Sequence, residues 1–224
     1  GNDRPNPRCS RKGQTVSTSF FNDKIFNKNQ KYQKREYMNH KQEKLENPAR
    51  LADLNPPATL RKLGLGLHDT VCDIGAGTGI FTIPAARLTK GTVYAIDMND
   101  ELLLVLEAKS RSEGLDHIKT IRSMEFDYDI PTHSVDMVLL VTVLHEIEEK
   151  PELLREINRL LKPSGKLCVI EFRKEPTPMG PPLPHRIAIE EVESVCTAHG
   201  FTEQESFLLG ENFYVIVFNP KAGD

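Results

Sequence analysis

The sequence predicts an α/β protein built on a parallel sheet with helices on both faces. Three observations predict it. An apolar strand, Thr70-Val71-Cys72, enters the glycine-spaced turn Asp73-Ile74-Gly75-Ala76-Gly77-Thr78-Gly79 and leaves it through a helical pattern, Ile80 to Leu88. The next strand, Val93-Tyr94-Ala95-Ile96-Asp97, closes on a carboxylate. Beyond it strand and helix patterns alternate, as they do along a sheet of parallel strands joined by crossover helices.

Taken in order, Gly1 to Ser19 reads as a poorly ordered coil rich in Arg, Lys, Pro and Ser, with Gly1 itself the remnant of a cleaved purification tag. Phe20-Phe21 is the first sizeable apolar pair. Asp23 to Glu46 is polar, with Ile25, Phe26, Tyr32, Tyr37 and Met38 as anchors, and suggests one or two helices laid over the domain. Asn55-Pro56-Pro57 supplies a cap and a first-turn proline for a short helix through Leu65. Strands are expected at Thr70–Asp73, Thr92–Asp97, Ile118–Arg122, Val135–Val141 and Lys166–Phe172, and helices at Ile80–Leu88, Asp100–Glu113, Lys150–Leu161 and Ile189–His199. The biased segment Glu175 to His185 carries Pro176, Pro178, Pro181, Pro182 and Pro184 and leaves the carboxyl end of a strand, where open parallel sheets bind ligands.

The turn points to a nucleotide-type ligand. A side chain at Gly75 or Gly77 would obstruct the tight turn or the approach of backbone to ligand. A dinucleotide fingerprint would place its third glycine where this chain has Ile80. Asp73, two residues before the first glycine, would repel a pyrophosphate and welcome an ammonium or sulfonium, which favours S-adenosylmethionine over NAD. The Asp97 carboxylate can accept both hydroxyls of a ribose. A turn that serves chain geometry alone is the bland alternative.

On Val71 to Ile80, Val93 to Asp97, Ser123 to Leu140 with its Ile130-Pro131 and Val135-Asp136, and Leu160-Leu161-Lys162-Pro163-Ser164-Gly165, the sequence resembles the class I S-adenosylmethionine-dependent methyltransferases. It looks most like the small bacterial proteins grouped with the ubiquinone/menaquinone biosynthesis C-methyltransferases, over about Lys44 to Pro220. The resemblance implies a Rossmann-like, mostly parallel seven-stranded sheet closed by an antiparallel hairpin, Thr202–Phe207 and Phe213–Phe218, around Gly210-Glu211-Asn212. It implies methyl transfer from S-adenosylmethionine, leaving S-adenosylhomocysteine, with His40 to Leu54 over the cofactor.

The same resemblance implies the site residues. Asp73, Gly75 and Gly77 would surround the methionine portion, with Thr78 at the helix start, Asp97 would hold the ribose and Met98 would lie against one face of the adenine; Ala76, Gly79, Val141 and Thr142 complete the expected cofactor-binding set. Many relatives carry an Asp at the position of Met124; this chain reads Ser123-Met124-Glu125-Phe126, so the amides of Met124 and Glu125 are left to bond the adenine edge, with Met124 packing on the ring. Core filling is the alternative role for Met98 and Met124. His145, in Val141-Thr142-Val143-Leu144-His145-Glu146, is the candidate general base; capping a helix or pairing with Glu146 is its alternative. Glu171, Arg173 and Lys174 with His185-Arg186 could bind a polar or anionic acceptor, or be surface charge.

Bulk properties bound the rest. The expected organisation is a basic, partly disordered extension over 1–36, one methyltransferase domain over 37–220 and a tail over 221–224. No apolar run approaches the ~18 residues of a membrane span, and no secretory signal is visible. Cys9, Cys72, Cys168 and Cys196 form no C-x-x-C pair, which fits a reduced, cytoplasmic protein; a cysteine site for arsenic, as in arsenic-methylating relatives, is the alternative. His40, His68, His117, His133, His145, His185 and His199 show no metal-ligand spacing, so no metal is expected, and no G-x-S-x-G elbow suggests a hydrolase. Twelve Lys/Arg against five Asp/Glu give residues 1–50 a charge of +7, leaving −10 of the net −3 to the remainder. That arm, with its aromatics, admits an RNA or protein acceptor as the alternative to a small molecule, and a non-catalytic cofactor-binding module is the third reading. The acceptor atom and the oligomeric state stay open.

Overall fold

The computed structural model describes residue 36 and residues 39–221. By its contacts the chain divides into residues 1–40 and 41–224, and the sheet belongs to the second unit. The coil over Gly1–Ser19, the anchors Ile25 to Met38, Cys9 and residues 222–224 lie outside the described residues.

The sheet is built from β1 (Val71–Ile74), β2 (Val93–Asp97), β3 (Ile118–Arg122), β4 (Val135–Val141), β5 (Leu161–Phe172), β6 (Phe201–Leu209) and β7 (Phe213–Pro220). Its order is β3-β2-β1-β4-β5-β7-β6, the first five strands parallel and β7 antiparallel to both β5 and β6. The mostly parallel sheet with its closing hairpin is therefore as expected. Helices α1 (Pro48–Leu54), α2 (Pro56–Lys62), α3 (Thr82–Leu88), α4 (Asp100–Glu113), α5 (Lys150–Leu160) and α6 (Ile189–Ala198) cover it.

Alternation along the strands divides the core in two. Val138 and Leu140 of β4, with Leu167 and Val169 of β5, pack on one face against Leu153, Leu154 and Ile157 of α5 and Val192 of α6. Met137, Leu139 and Val141, with Cys168 and Ile170, pack on the other against Leu54, Leu60, Phe81 and Ala85. The central strands are buried on both faces, which is why they read as continuous apolar runs rather than as alternation.

Two boundaries move. The helix expected from Ile80 begins at Thr82, because the turn continues through Gly79, whose φ of 82° is left-handed. The strand expected from Lys166 starts at Leu161, since Leu161 pairs with Val135 and so ends α5 at Leu160. The short helix expected up to Leu65 is preceded by α1; Asn55, with φ 36°, ends α1 and opens α2. Among the described residues no helix is long and apolar enough to cross a membrane.

Candidate cofactor and acceptor site

Strand order reverses between β1 and β4, and the crevice beyond their carboxyl ends is where an open α/β sheet takes a ligand. A partly open pocket, with about 290 Å³ of empty space that includes open solvent, lies there, lined by Asp73, Gly75, Ala76, Gly77, Thr78 and Val141, with Leu45 and Arg50 from the preceding segment.

Backbone amides tie the turn to the end of β2. Gly75 and Ala76 donate to Ile96 O at 2.8 and 2.9 Å. Gly77 donates to Asp97 Oδ2 at 2.8 Å, while Asn99 N–H reaches Asp97 Oδ1 at 2.8 Å, so two backbone donors aim the Asp97 carboxylate. Gly75 is required on two counts: its φ is 74°, and a Cβ there would lie 2.3 Å from Val143 Cγ2. That contact seats the loop after β4 on the glycine turn.

Asp73 is buried and accepts the Thr82 hydroxyl at 2.6 Å. Burial, partly offset by Thr82, pushes its carboxyl up to about 6. Residues 41–45 are helical, and Asn47 Oδ1 caps α1 by accepting from Ala49 and Arg50 N–H. This strap is tied down at two points. Lys109 of α4 bridges Glu46, at 2.6 Å, and Thr78 O, at 3.0 Å. Arg50 donates to Leu45 O at 3.0 Å and to Thr142 Oγ1 at 2.9 Å. Thr142 is held at φ 55°, an unfavourable conformation for a β-branched residue.

His145 lies in a 3-10 turn, Leu144–Glu146, directly after β4. Its Nδ1 meets Glu171 Oε2 at 2.8 Å and its backbone N–H donates to Glu171 Oε1 at 3.2 Å. Both side chains are largely buried, at 11% and 1% exposure, and Nε2 stands 3.8 Å from Glu146 Oε1. Burial pushes the His145 imidazole down, but the hydrogen bond and charge of Glu171 outweigh it, and its pKa is raised above 6.5.

Comparison with known proteins points the same way. A family model described as a methyltransferase domain matches residues 72–169, the stretch from β1 into β5. The chain is 34% identical over 107 residues to the ubiquinone/menaquinone biosynthesis C-methyltransferase UbiE of Shewanella baltica and of Shewanella oneidensis, covering 46% of this chain and 43% of theirs. The chain thus spans less than half the length of the curated relatives it matches. A SAM-dependent methyltransferase from Aquifex aeolicus superposes with a TM-score of 0.76 at 28% identity, over 80% of this chain and 96% of that one. The fold is shared with a SAM-dependent methyltransferase from Methanosarcina mazei, at a TM-score of 0.61, 18% identity, and 73% and 98% coverage. Residues 72–169 thus match a methyltransferase domain, and the fold is that of the class I S-adenosylmethionine-dependent methyltransferases.

S-adenosylmethionine is the cofactor of that family, and the residues present here fit it. The cavity presents a buried carboxylate, Asp73, and a buried guanidinium, Arg50, beside a glycine cradle. Thr78 Oγ1 is buried next to the Glu46 carboxylate without a hydrogen bond of good geometry. Met98 and Met124 are 63% and 72% exposed, so neither fills the core. Arg50, Leu45, Ile80 and Phe81 line the cavity beyond the residues singled out in the sequence.

Two expected cofactor residues find other partners, and two alternative sites read from the sequence do not assemble. Gly79 does not line the cavity; a Cβ there would lie 2.9 Å from Leu106 Cγ, so it lets α4 pack on the turn. The Glu125 amide, expected at the adenine edge, donates to Ser123 Oγ at 3.2 Å within a local turn. The charged cluster after β5 does not assemble. Glu171 belongs to His145, Arg173 pairs with Glu175, and Lys174 pairs with Glu191 at 2.9 Å. Arg186, buried, spends its guanidinium on Pro181, Arg173, Glu175 and Met179 carbonyls and on Thr177 Oγ1, latching the proline-rich segment. The three described cysteines do not converge either. Cys72 and Cys196 lie on one face of the sheet and Cys168 on the other. Burial holds all three thiols protonated, pushing Cys168 and Cys196 up to about 12. Among the described residues no group of three or more His, Cys, Asp or Glu is placed to hold a metal.

Proposed function

We propose that this chain transfers the methyl group of S-adenosylmethionine to a small-molecule acceptor whose proton is taken by His145. The observation that carries the reading is the His145–Glu171 pair, buried at the carboxyl ends of β4 and β5 on a loop that Val143 seats against the glycine turn.

Bound S-adenosylmethionine supplies a methyl carbon already activated by its sulfonium sulfur, so the protein must align the partners and exclude water. Asp97, fixed by the Gly77 and Asn99 amides, would hold the ribose, and Met98 and Met124 would cover the adenine. Glu171 can only accept, which puts the His145 proton on Nδ1 and leaves Nε2 with a free lone pair. An acceptor hydroxyl, thiol or amine placed at Nε2 would lose its proton there as it attacks the methyl carbon, or as the ring carbon that a phenolic hydroxyl activates does so. A module that only bound the cofactor would have no use for a buried base, which supports the catalytic reading.

The relatives named for ubiquinone/menaquinone biosynthesis put phenolic and quinol-type rings first among acceptors to try. The test is calorimetric titration with S-adenosylmethionine and S-adenosylhomocysteine, with Asp97→Ala as control and NAD as comparator, followed by transfer of labelled methyl to that acceptor panel. Micromolar binding lost in Asp97→Ala is the expected result. A folded protein that binds neither compound would sink the reading.

A further inference from the structure

We infer that Tyr214 is a positioning residue for the transfer: its ring walls Glu171 from water on the β7 side and so keeps that carboxylate bound to His145. The inference rests on the reading of His145 as the base and extends it to the closing hairpin, which holds none of the site residues expected from the sequence.

β5 and β7 run antiparallel with Glu171 directly opposite Tyr214. Residues paired in this way share one face of the sheet, with Cβ atoms about 5 Å apart. Tyr214 is 3% exposed and belongs to the same core as Val169, Ile187 and Ile216, while Glu171 is 1% exposed. β5 lies between β4 and β7 in the sheet, so Glu171 receives His145 from the β4 side and has Tyr214 on the other.

The phenol does not compete for the carboxylate. Tyr214 Oη has one proton and donates it to Ile187 O at 3.0 Å; burial, reinforced by the Glu171 charge, raises its pKa, so the proton stays. Both Glu171 oxygens accept from His145, one from Nδ1 and one from the backbone N–H. Tyr214 therefore acts on the pair by excluding water. A water admitted at that wall would donate to Glu171 in competition with His145 and weaken an attraction that depends on low local polarity. The charged groups facing the imidazole are Glu171 of β5, Glu146 of its own turn and Lys150 of α5; those facing the phenol are Glu171 with Glu190 and Glu191 of α6, beside the Cys196 thiol. Substitutions at Tyr214 leave all of them in place.

The test follows the His145 Nε2 resonance against pH by nitrogen NMR on the full chain labelled at histidine, assigned by its loss in His145→Gln, and so needs no acceptor. Wild type, Glu171→Gln, Tyr214→Leu and Tyr214→Phe are compared. Tyr214→Leu, which opens the wall, should move the His145 midpoint down at least half-way to that of Glu171→Gln. Tyr214→Phe, which keeps the ring and loses only the hydroxyl, should melt lower than wild type yet titrate at the wild-type pH. A wild-type midpoint in folded Tyr214→Leu overturns the inference and leaves Tyr214 as core packing. An equal shift in Tyr214→Phe assigns the effect to the Ile187 bond and overturns it as well. Should Tyr214→Leu fail to fold, the wild type decides by exchange: the Nδ1 proton should give a resolved, slowly exchanging resonance, and one that exchanges too fast to be seen means that water already reaches the pair, which overturns the wall. Methyl transfer that survives His145→Ala is the separate failure of the base reading, and removes the positioning role whatever the titrations show.

Discussion

Glu171 holds His145 by two points at once, Nδ1 at 2.8 Å and the backbone N–H at 3.2 Å, so one buried carboxylate sets both the tautomer and the position of the ring. The raised His145 pKa predicts a pH profile. A base works deprotonated, so kcat/KM should climb with pH through a midpoint above 6.5 and level off beyond it. Glu171→Gln removes the charge that raises the imidazole, and its midpoint should move down. His145→Ala should lose roughly 100-fold or more in kcat; transfer within a few-fold of wild type at saturating cofactor would remove the base from the mechanism. Stability gives an independent readout. A histidine raised in the folded state stabilises fully below about pH 6.5 and loses that contribution as pH rises through its folded pKa. The Tm gap between wild type and Glu171→Gln should therefore be widest in acid.

Asp73 gives the opposite sign. Its carboxyl, lifted by burial from 3.8 to about 6, favours the protonated form in the folded protein. Its ionisation costs stability that disappears as pH rises from about 4 to about 6 and stays lost above, on the order of 3 kcal/mol. Asp73→Asn, which can still accept from Thr82, should melt at or above the wild-type temperature at pH 7.5. The same carboxylate would attract the cationic end of the cofactor, so S-adenosylmethionine affinity should fall in wild type as pH drops below 6, and Asp73→Asn should bind roughly tenfold more weakly at neutral pH. An affinity independent of pH between 5 and 8 would remove Asp73 from ligand binding.

The sheet was legible because a glycine turn follows β1, a carboxylate closes β2, and the alternation of strand and helix leaves little freedom in order. The His145–Glu171 pair was harder, since its members are 26 residues apart, one in the turn after β4 and one in β5, and meet only in the folded sheet. A signal was nevertheless present: Glu171 follows Leu167 and Val169 at strand period, which puts it on the buried face, whereas charge alone grouped it with Arg173 and Lys174. Arg50 had no comparable signal. It is one of twelve basic residues in the first fifty, and only the packing of α1 over the cavity distinguishes it. The Glu125 amide donates to Ser123 Oγ, a turn-forming partner two residues back that the sequence also shows.

Met98 and Met124 test whether exposed apolar side chains serve a ligand. At 63% and 72% exposure, truncation to Ala should change stability by less than about 0.5 kcal/mol. If the two cover an adenine, each truncation should weaken S-adenosylhomocysteine binding by roughly 3- to 10-fold through lost apolar contact. Calorimetry and thermal melts on the two variants decide it. Unchanged affinity in both would leave these side chains as solvent-exposed bystanders.

The strap that carries Arg50 is anchored at its far end by Asp53, whose carboxylate accepts from Glu211 N–H at 2.9 Å, Asn212 N–H at 3.0 Å and Asn212 Nδ2 at 2.6 Å. These are the donors of the β6–β7 turn, and Asn212 is buried, so Asp53→Ala strands polar groups and should cost roughly 2 kcal/mol. It should also speed S-adenosylhomocysteine release, because α1 then lacks its tie to the hairpin. Gly210 offers a cross-check. A Cβ there would stand 1.7 Å from Asp53 Oδ1, on a backbone already at φ 59°. Gly210→Ala should therefore be more damaging in wild type, where it meets both the clash and the left-handed strain, than in Asp53→Ala, where only the strain of about 1 kcal/mol remains. Chemical denaturation of the single and double variants measures that coupling. Simple additivity would mean that the strap and the hairpin are not joined through Asp53.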